Sequence, residues 1–178
     1  MVWKLVKEVF RVGEATIQYP FVPAEVSEGF RGRPQHDPRL CIACAACAVA
    51  CPSNALTMET DSDQGIITWS IFYGRCIFCG RCEEVCPTGC IRLSPEFELA
   101  VMDKADLFEK ADYQLAACSQ CGVFFAPAKE LDYVLALLEQ AGLSGEELEE
   151  RRALLGICPT CKRKDDIGKL VGLYQEAV

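Results

Sequence analysis

Cys41-Ile-Ala-Cys44-Ala-Ala-Cys47-Ala-Val-Ala-Cys51-Pro52, answered by Cys76-Ile-Phe-Cys79-Gly-Arg-Cys82-Glu-Glu-Val-Cys86-Pro87, decides how this chain is read. Both stretches follow C-x2-C-x2-C-x3-C-P, and every candidate ligand position in both is cysteine. Thiolates at this spacing are the ligands of iron–sulfur clusters. Cysteines at i, i+3 and i+6 make a short loop wrap one cubane, and their sulfurs cap three of its irons. The fourth lies four residues beyond the third, about 6 Å along a helical turn. Residues 45–50 therefore stand between two clusters, and residue 51 reaches away from the loop that precedes it. No cysteine is missing or replaced by aspartate, so two complete [4Fe–4S] clusters are expected rather than a three-iron centre.

The run resembles that of bacterial-type two-cluster ferredoxins, in which each fourth cysteine serves the other cluster. On that resemblance, cluster 1 takes Cys41, Cys44, Cys47 and Cys86, and cluster 2 takes Cys76, Cys79, Cys82 and Cys51. Crossed ligation sets the clusters on the order of 10 Å apart, judged from the helical rise. Electrons can hop directly over that distance.

Composition narrows the alternatives. Thirteen cysteines in 178 residues could suit a secreted disulfide scaffold. Lys4, Lys7 and Glu8 interrupt what would be the apolar centre of an export signal, so a reducing cytosol is expected. The longest apolar stretches, such as residues 134–138, are too short to span a bilayer. The formal charge is −8, and each cluster ligated by four thiolates adds about −2. Such a surface suits basic protein patches and argues against nucleic acid, whose binding needs phosphates neutralised. One histidine, His36, leaves almost no material for triads or histidine-rich metal sites.

The expected fold is α+β, with a bacterial-type 2[4Fe–4S] ferredoxin core over residues 36–100. Residues 1–35 read as an N-terminal amphipathic helix and an extended docking arm. Val2, Leu5, Val6, Val9 and Phe10 fall at helical spacing, Gly13 ends the helix, and the chain stays irregular to Pro34. Within the core, residues 55–60 and 65–70 form a hairpin around 61–64, and residues 90–93 form a further strand. Ile42, Ile77, Phe78, Ile66 and Trp69 are expected to line the clusters. A dry shell lowers a cluster's potential and N–H donors to sulfur raise it, within a range of about −700 to +450 mV. The low half of that range is expected here. Cys90 is the ninth core cysteine, beyond the eight ligands, and reads as a small buried hydrophobe.

Residues 101–178 read as a helical appendage, rubredoxin-like or of zinc-ribbon type. A short helix is expected over 103–110, a longer one over 128–140, and another opening on a capping box from Ser144 to Glu147 and running to Leu155. Cys118, Cys121, Cys158 and Cys161 form two C-x2-C knuckles and, together, a four-cysteine mononuclear site for one zinc or iron ion.

CIACAACAVACPSNAL (41–56) and CIFCGRCEEVCPTGCIRLS (76–94) resemble the ferredoxin-like subunit shared by NADH–quinone oxidoreductase and membrane-bound [NiFe]-hydrogenases. Tyr19-Pro20 and Phe30-Arg31-Gly32-Arg33-Pro34 are similar too. The paired C-x2-C tail looks like that of the iron–sulfur subunit of formate hydrogenlyase and its close hydrogenase homologues. Cys90 stands where these relatives often carry a small apolar residue. The resemblance implies an electron-transfer subunit, not an enzyme. It would pass electrons from a formate-oxidising or ferredoxin-fed module to the hydrogenase small subunit, beside the large subunit and other iron–sulfur subunits. Its place would be cytoplasmic, peripheral on the inner membrane's cytoplasmic side, with the arm near a membrane arm and no small-molecule substrate. The rivals are the equivalent relay of a quinone-reducing complex, a free ferredoxin, and a zinc interaction module.

Overall fold

The computed structural model describes residues 2–13 and 16–176. The first thirty residues form one unit and residues 31–178 another. In the first, α1 (Val2–Val12) exposes Val2, Leu5, Val6, Val9 and Phe10. Arg11 in its last turn pairs with Glu8. Gly13, at φ 64°, closes the helix by donating to the Val9 carbonyl at 3.1 Å.

The second unit begins with a close approach of two backbones. The Gly32 N–H donates to the Ser94 carbonyl at 2.8 Å and Arg33 to Glu96 at 2.6 Å. A Cβ on Gly32 would lie 2.2 Å from the Glu96 carbonyl oxygen, so only glycine fits. The extended segment thus changes character at Arg31 and is fastened to the core from there on. It continues into β1 (Pro34–His36), antiparallel to β4 (Ile91–Leu93), with His36 opposite Ile91.

The expected hairpin is present as β2 (Leu56–Asp61) and β3 (Ile66–Phe72). Asp61 Oδ1 fixes its turn by accepting from the Asp63 and Gln64 amides, both at 3.0 Å. A second partner for β3 comes from the tail: β5 (Phe108–Ala117) pairs with it from Phe72 opposite Phe108 to Ile66 opposite Gln114. β6 (Phe124–Pro127) then completes a four-stranded antiparallel sheet in the order β2-β3-β5-β6. The expected helix over 103–110 is therefore corrected to a short 3₁₀ turn, Lys104–Leu107, followed by a strand. Asp103 starts that turn by accepting from the Ala105 amide, and strict alternation takes over. Glu109, Ala111, Tyr113 and Leu115 face inward, while Lys110, Asp112 and Gln114 face water.

Trp69, Ile71 and Ile91 are fully buried and share one core with Leu56, Tyr113 and Leu115. Tyr73 ties the sheets together, donating toward the Pro34 carbonyl at 2.9 Å and Glu109 at 2.5 Å. Two short helices, α2 (Ala46–Ala50) and α3 (Arg81–Glu84), follow the two cysteine loops.

In the tail, α4 (Ala128–Gln140) lies where expected. α5 (Glu146–Leu155) keeps its predicted end but not its capping box. Gly145 occupies the cap position at φ 60°, ψ −132°, and no side chain caps the helix. α6 (Pro159–Glu176), unforeseen, starts with proline in its first turn, where the missing N–H costs nothing. No helix among the described residues is long and apolar enough to cross a membrane.

Candidate metal centres

The two cysteine loops have matching backbones. Ala43 and Ala45 in the first take φ of 57° and 61°; Phe78 and Gly80 at the equivalent places in the second take 53° and 81°. These left-handed residues curl each loop so that its amides point inward. The Ala43 N–H donates to Cys41 Sγ and the Phe78 N–H to Cys76 Sγ, each at 3.4 Å. The fourth cysteines match as well. Ala55 N–H donates to Cys51 Sγ and Cys90 N–H to Cys86 Sγ, each at 3.3 Å. Ser53 and Thr88 bring hydroxyls to the same sulfurs at 3.6 and 3.7 Å.

Each loop closes on a cavity completed by the other motif. One cavity is lined by Cys41, Cys44 and Cys47 together with Cys86. The other is lined by Cys76, Cys79 and Cys82 together with Cys51. Each could hold one cubane by four thiolates. An independent sign of fit comes from Trp69, which lines the first cavity. Its indole Nε1 is buried, finds no partner of full hydrogen-bond geometry, and is directed at Cys47, whose thiol it draws down against the larger effect of burial. A sulfur-rich anion in that cavity would satisfy the orphaned donor.

Of the residues expected to line the clusters, Ile42 and Trp69 face the first cavity and Ile77 and Phe78 the second. Ile66 does not: it sits at the far end of the hairpin, opposite Asp61 and Gln114. Met58 in the first cavity, and Leu56 and Ile71 in the second, supply the apolar walls instead.

The surroundings of the first cavity hold residues that sequence reading passed over. Cys90 is buried, but its Sγ lies 3.4 Å from Cys86 Sγ and within 4.8 Å of Cys41 Sγ. Its thiol draws the Cys41 thiol down to about 4 against the opposing effect of burial, with His36 and Tyr113 adding to it. The closeness of Cys41, with burial, pushes the Cys90 thiol up. His36 stacks on Trp69, ring centroids 3.8 Å apart, and its Nε2 lies 3.3 Å from the Tyr113 hydroxyl. Lys129 reaches across from α4 to the carbonyls of Pro38, Arg39 and Cys41 at 2.8, 3.0 and 3.3 Å. Arg31 does the equivalent for the second loop, donating to the Cys79 carbonyl at 2.9 Å. In the second cavity, burial pushes Cys82 up to about 12.

The tail brings its four cysteines together. The sulfurs of Cys118, Cys121, Cys158 and Cys161 all lie within 4.8 Å of one another. Three are buried, Cys121 is exposed, and Phe125 and Ile157 pack against the group. The Cys158 N–H donates to Cys118 Sγ at 3.2 Å and holds that thiol down to about 6. β6, α4 and α5 occupy the long interval between the knuckles and return the chain to the same place. The four sulfurs could hold one tetrahedral ion with no open position.

Fold and cavities together define an iron–sulfur protein of the two-cluster ferredoxin class, and residues 40–90 match the 4Fe–4S dicluster domain family. The chain is 48% identical to formate hydrogenlyase subunit 6 of Escherichia coli (strain K12) over 159 residues, spanning 89% of this chain and 87% of that protein. It belongs to that subunit's family. It is also 42% identical over 97 residues to the chloroplastic NAD(P)H-quinone oxidoreductase subunit I of Chloranthus spicatus, covering 52% of this chain and 54% of that one. A chain of the membrane-bound sulfane sulfur reductase, an archaeal respiratory membrane complex, aligns at 28% identity and TM-score 0.45, over 59% of this chain and 56% of that one.

Proposed function

We infer that this chain is the electron relay of a membrane-bound, formate hydrogenlyase-type complex and carries electrons through two [4Fe–4S] clusters toward a [NiFe]-hydrogenase module. The observation that carries the reading is the pair of cavities, each lined by three cysteines of one motif and the fourth of the other. Cys41, Cys44, Cys47 and Cys86 hold one cluster; Cys76, Cys79, Cys82 and Cys51 hold the second. The clusters supply one-electron redox chemistry. The chain's own residues hold them close together, keep water out with apolar walls, and direct backbone amides at the ligand sulfurs. Catalysis belongs to other subunits.

The tail carries a structural ion, zinc or iron, on Cys118, Cys121, Cys158 and Cys161. The four convergent sulfurs and the lowered Cys118 thiol support that assignment. The partners are the hydrogenase small and large subunits and neighbouring iron–sulfur subunits. The exposed stripe of α1 fits an arm that docks beside a membrane arm on the cytoplasmic side.

Two measurements test this reading. The complex that co-purifies with the chain from gently solubilised membranes should contain stoichiometric nickel. Its absence, with quinone-reducing activity instead, moves the chain to the respiratory branch. Cys51→Ser should perturb the cluster on the Cys76–Cys79–Cys82 loop. Damage confined to the Cys41–Cys44–Cys47 cluster refutes crossed ligation.

A further inference from the structure

The near-symmetry of the two cluster sites allows each to serve as a control for the other. Backbone donors match in kind and distance, and the serine and threonine hydroxyls match. Each loop also carries one cation on the carbonyl of a ligand cysteine, Lys129 on Cys41 and Arg31 on Cys79. Several side chains at equivalent places differ, and three of the differences favour the first site. Four residues after the fourth cysteine stands Cys90 for the first site and Ala55 for the second. Seven residues before the first cysteine of a motif stand Trp69, which lines the first cavity, and Pro34, which lines the second. Five residues before stand His36, beside Cys41 with the Tyr113 hydroxyl, and Ile71, in the wall of the second cavity. At these three places the first site has a hydrogen-bond donor and the second has carbon; the reverse pair, Ala46 at the first cavity and Arg81 at the second, puts a guanidinium there that is solvent-exposed and already paired with Glu84 at 2.7 Å.

A donor aimed at a cluster's sulfur stabilises its more negative, reduced form and raises its potential. We propose that Cys90 and Trp69 set an unequal pair of potentials, so that a single electron entering the chain rests on the cluster held by Cys41, Cys44, Cys47 and Cys86. The geometry is direct: a buried S–H 3.4 Å from one ligand sulfur, and a buried indole N–H in the wall of the same cavity, directed at Cys47 without a full hydrogen bond to it. Both are positioning residues that act through ligand sulfurs and the cluster. Because they sit on one side only, the relay has a built-in resting point rather than two equivalent stations. This inference rests on the two-cluster reading above.

The test is an EPR-monitored potentiometric titration of the full-length chain, loaded anaerobically and first checked for iron, sulfide and Mössbauer signature. Two cubanes with two separate midpoints are expected. Trp69→Phe and Cys90→Ala should each lower the upper midpoint and leave the lower one in place. Each should cut the ratio of first-site to second-site occupancy by a single electron at least about threefold, where a tenfold change is 59 mV for one electron. Cys90→Ser keeps a donor and should hold the upper midpoint. Ala55→Ser gives the second site the missing donor and should raise the lower midpoint. Should Cys90→Ala fail to load, Trp69→Phe and Ala55→Ser decide the matter. Midpoints that stay fixed, move together, or shift at the lower value in Trp69→Phe overturn the proposal. Fewer than two cubanes in the unaltered chain overturns the electron-relay reading itself.

Discussion

Lys129→Met asks what one side chain from the tail does for the first cluster loop. The ammonium has three N–H donors, and its Nζ lies 2.8, 3.0 and 3.3 Å from the carbonyls of Pro38, Arg39 and Cys41. It also stands 5.6 Å above the centre of the Tyr113 ring. Methionine keeps most of the stem and removes the charge and the donors. A hydrogen bond to a charged group is worth about 1.5–3 kcal/mol when shielded. Lys129 is exposed, and water replaces much of that, which leaves about 2 kcal/mol for the set. At 1.4 kcal/mol per factor of ten, local opening of residues 37–45 becomes about 30-fold more frequent. Hydrogen exchange followed by mass spectrometry on the cluster-loaded chain reads this directly. Amides of the first loop, including Ala43 and Cys41, should exchange about 30-fold faster, while those around Phe78 keep their rate. The second loop is the control, because Arg31 holds it independently. Unchanged exchange in the first loop, or equal acceleration in both, would show that the tail does not brace the loop through Lys129.

Gly65→Ala combines a left-handed backbone, φ 68°, with a Cβ 2.6 Å from the Phe124 ring. It should cost about 1–3 kcal/mol, seen as a lower denaturant midpoint for cluster bleaching, and an unchanged midpoint would contradict the packing of β6 on the hairpin turn. Tyr73→Phe removes the donor to the Pro34 carbonyl and Glu109. A loss of about 1–2 kcal/mol is expected, again as a shifted midpoint, and a neutral result would mean that the two sheets are not tied through that hydroxyl. For the tail, a thiol-directed chelator should release one metal equivalent and expose residues 118–161 to protease while the iron of both clusters stays. Cys158→Ser should reproduce the effect, and cluster loss in step with the tail ion would refute a separate site.

That the eight core cysteines meet around two cavities was legible because their spacing limits how each loop can curl. That the tail knuckles meet was legible from their paired C-x2-C spacing, even though β6, α4 and α5 lie between them. The hairpin was marked by its turn, where Asp61 makes the bonds its position suggests. β5 was hidden because its first inward position is Glu109 and its second the small Ala111, so the apolar alternation is weak where the strand begins and strong only from Tyr113 to Leu115. Glu109 faces inward because Tyr73, far away in the chain, offers it a hydroxyl. α5 lost its capping box because Gly145 turns the backbone away from the geometry that Ser144 would need. Cys90 shows the limit of reading residues singly. It is buried as expected, but only the fold brings its sulfur to Cys86 and Cys41.

The pairing of β5 along β3 bears on where this chain can be cut. A fragment ending at residue 100 would contain both cysteine loops and every cysteine that lines the two cavities. It would also leave β3 as a bare edge, with unpaired amides and carbonyls beside Trp69, which invites one copy to zip onto another. The tail is therefore a strand donor as well as the place where four cysteine sulfurs converge. Anyone excising a minimal carrier, or grafting it onto another assembly, must keep the chain through Ala117 at least, or supply a substitute strand.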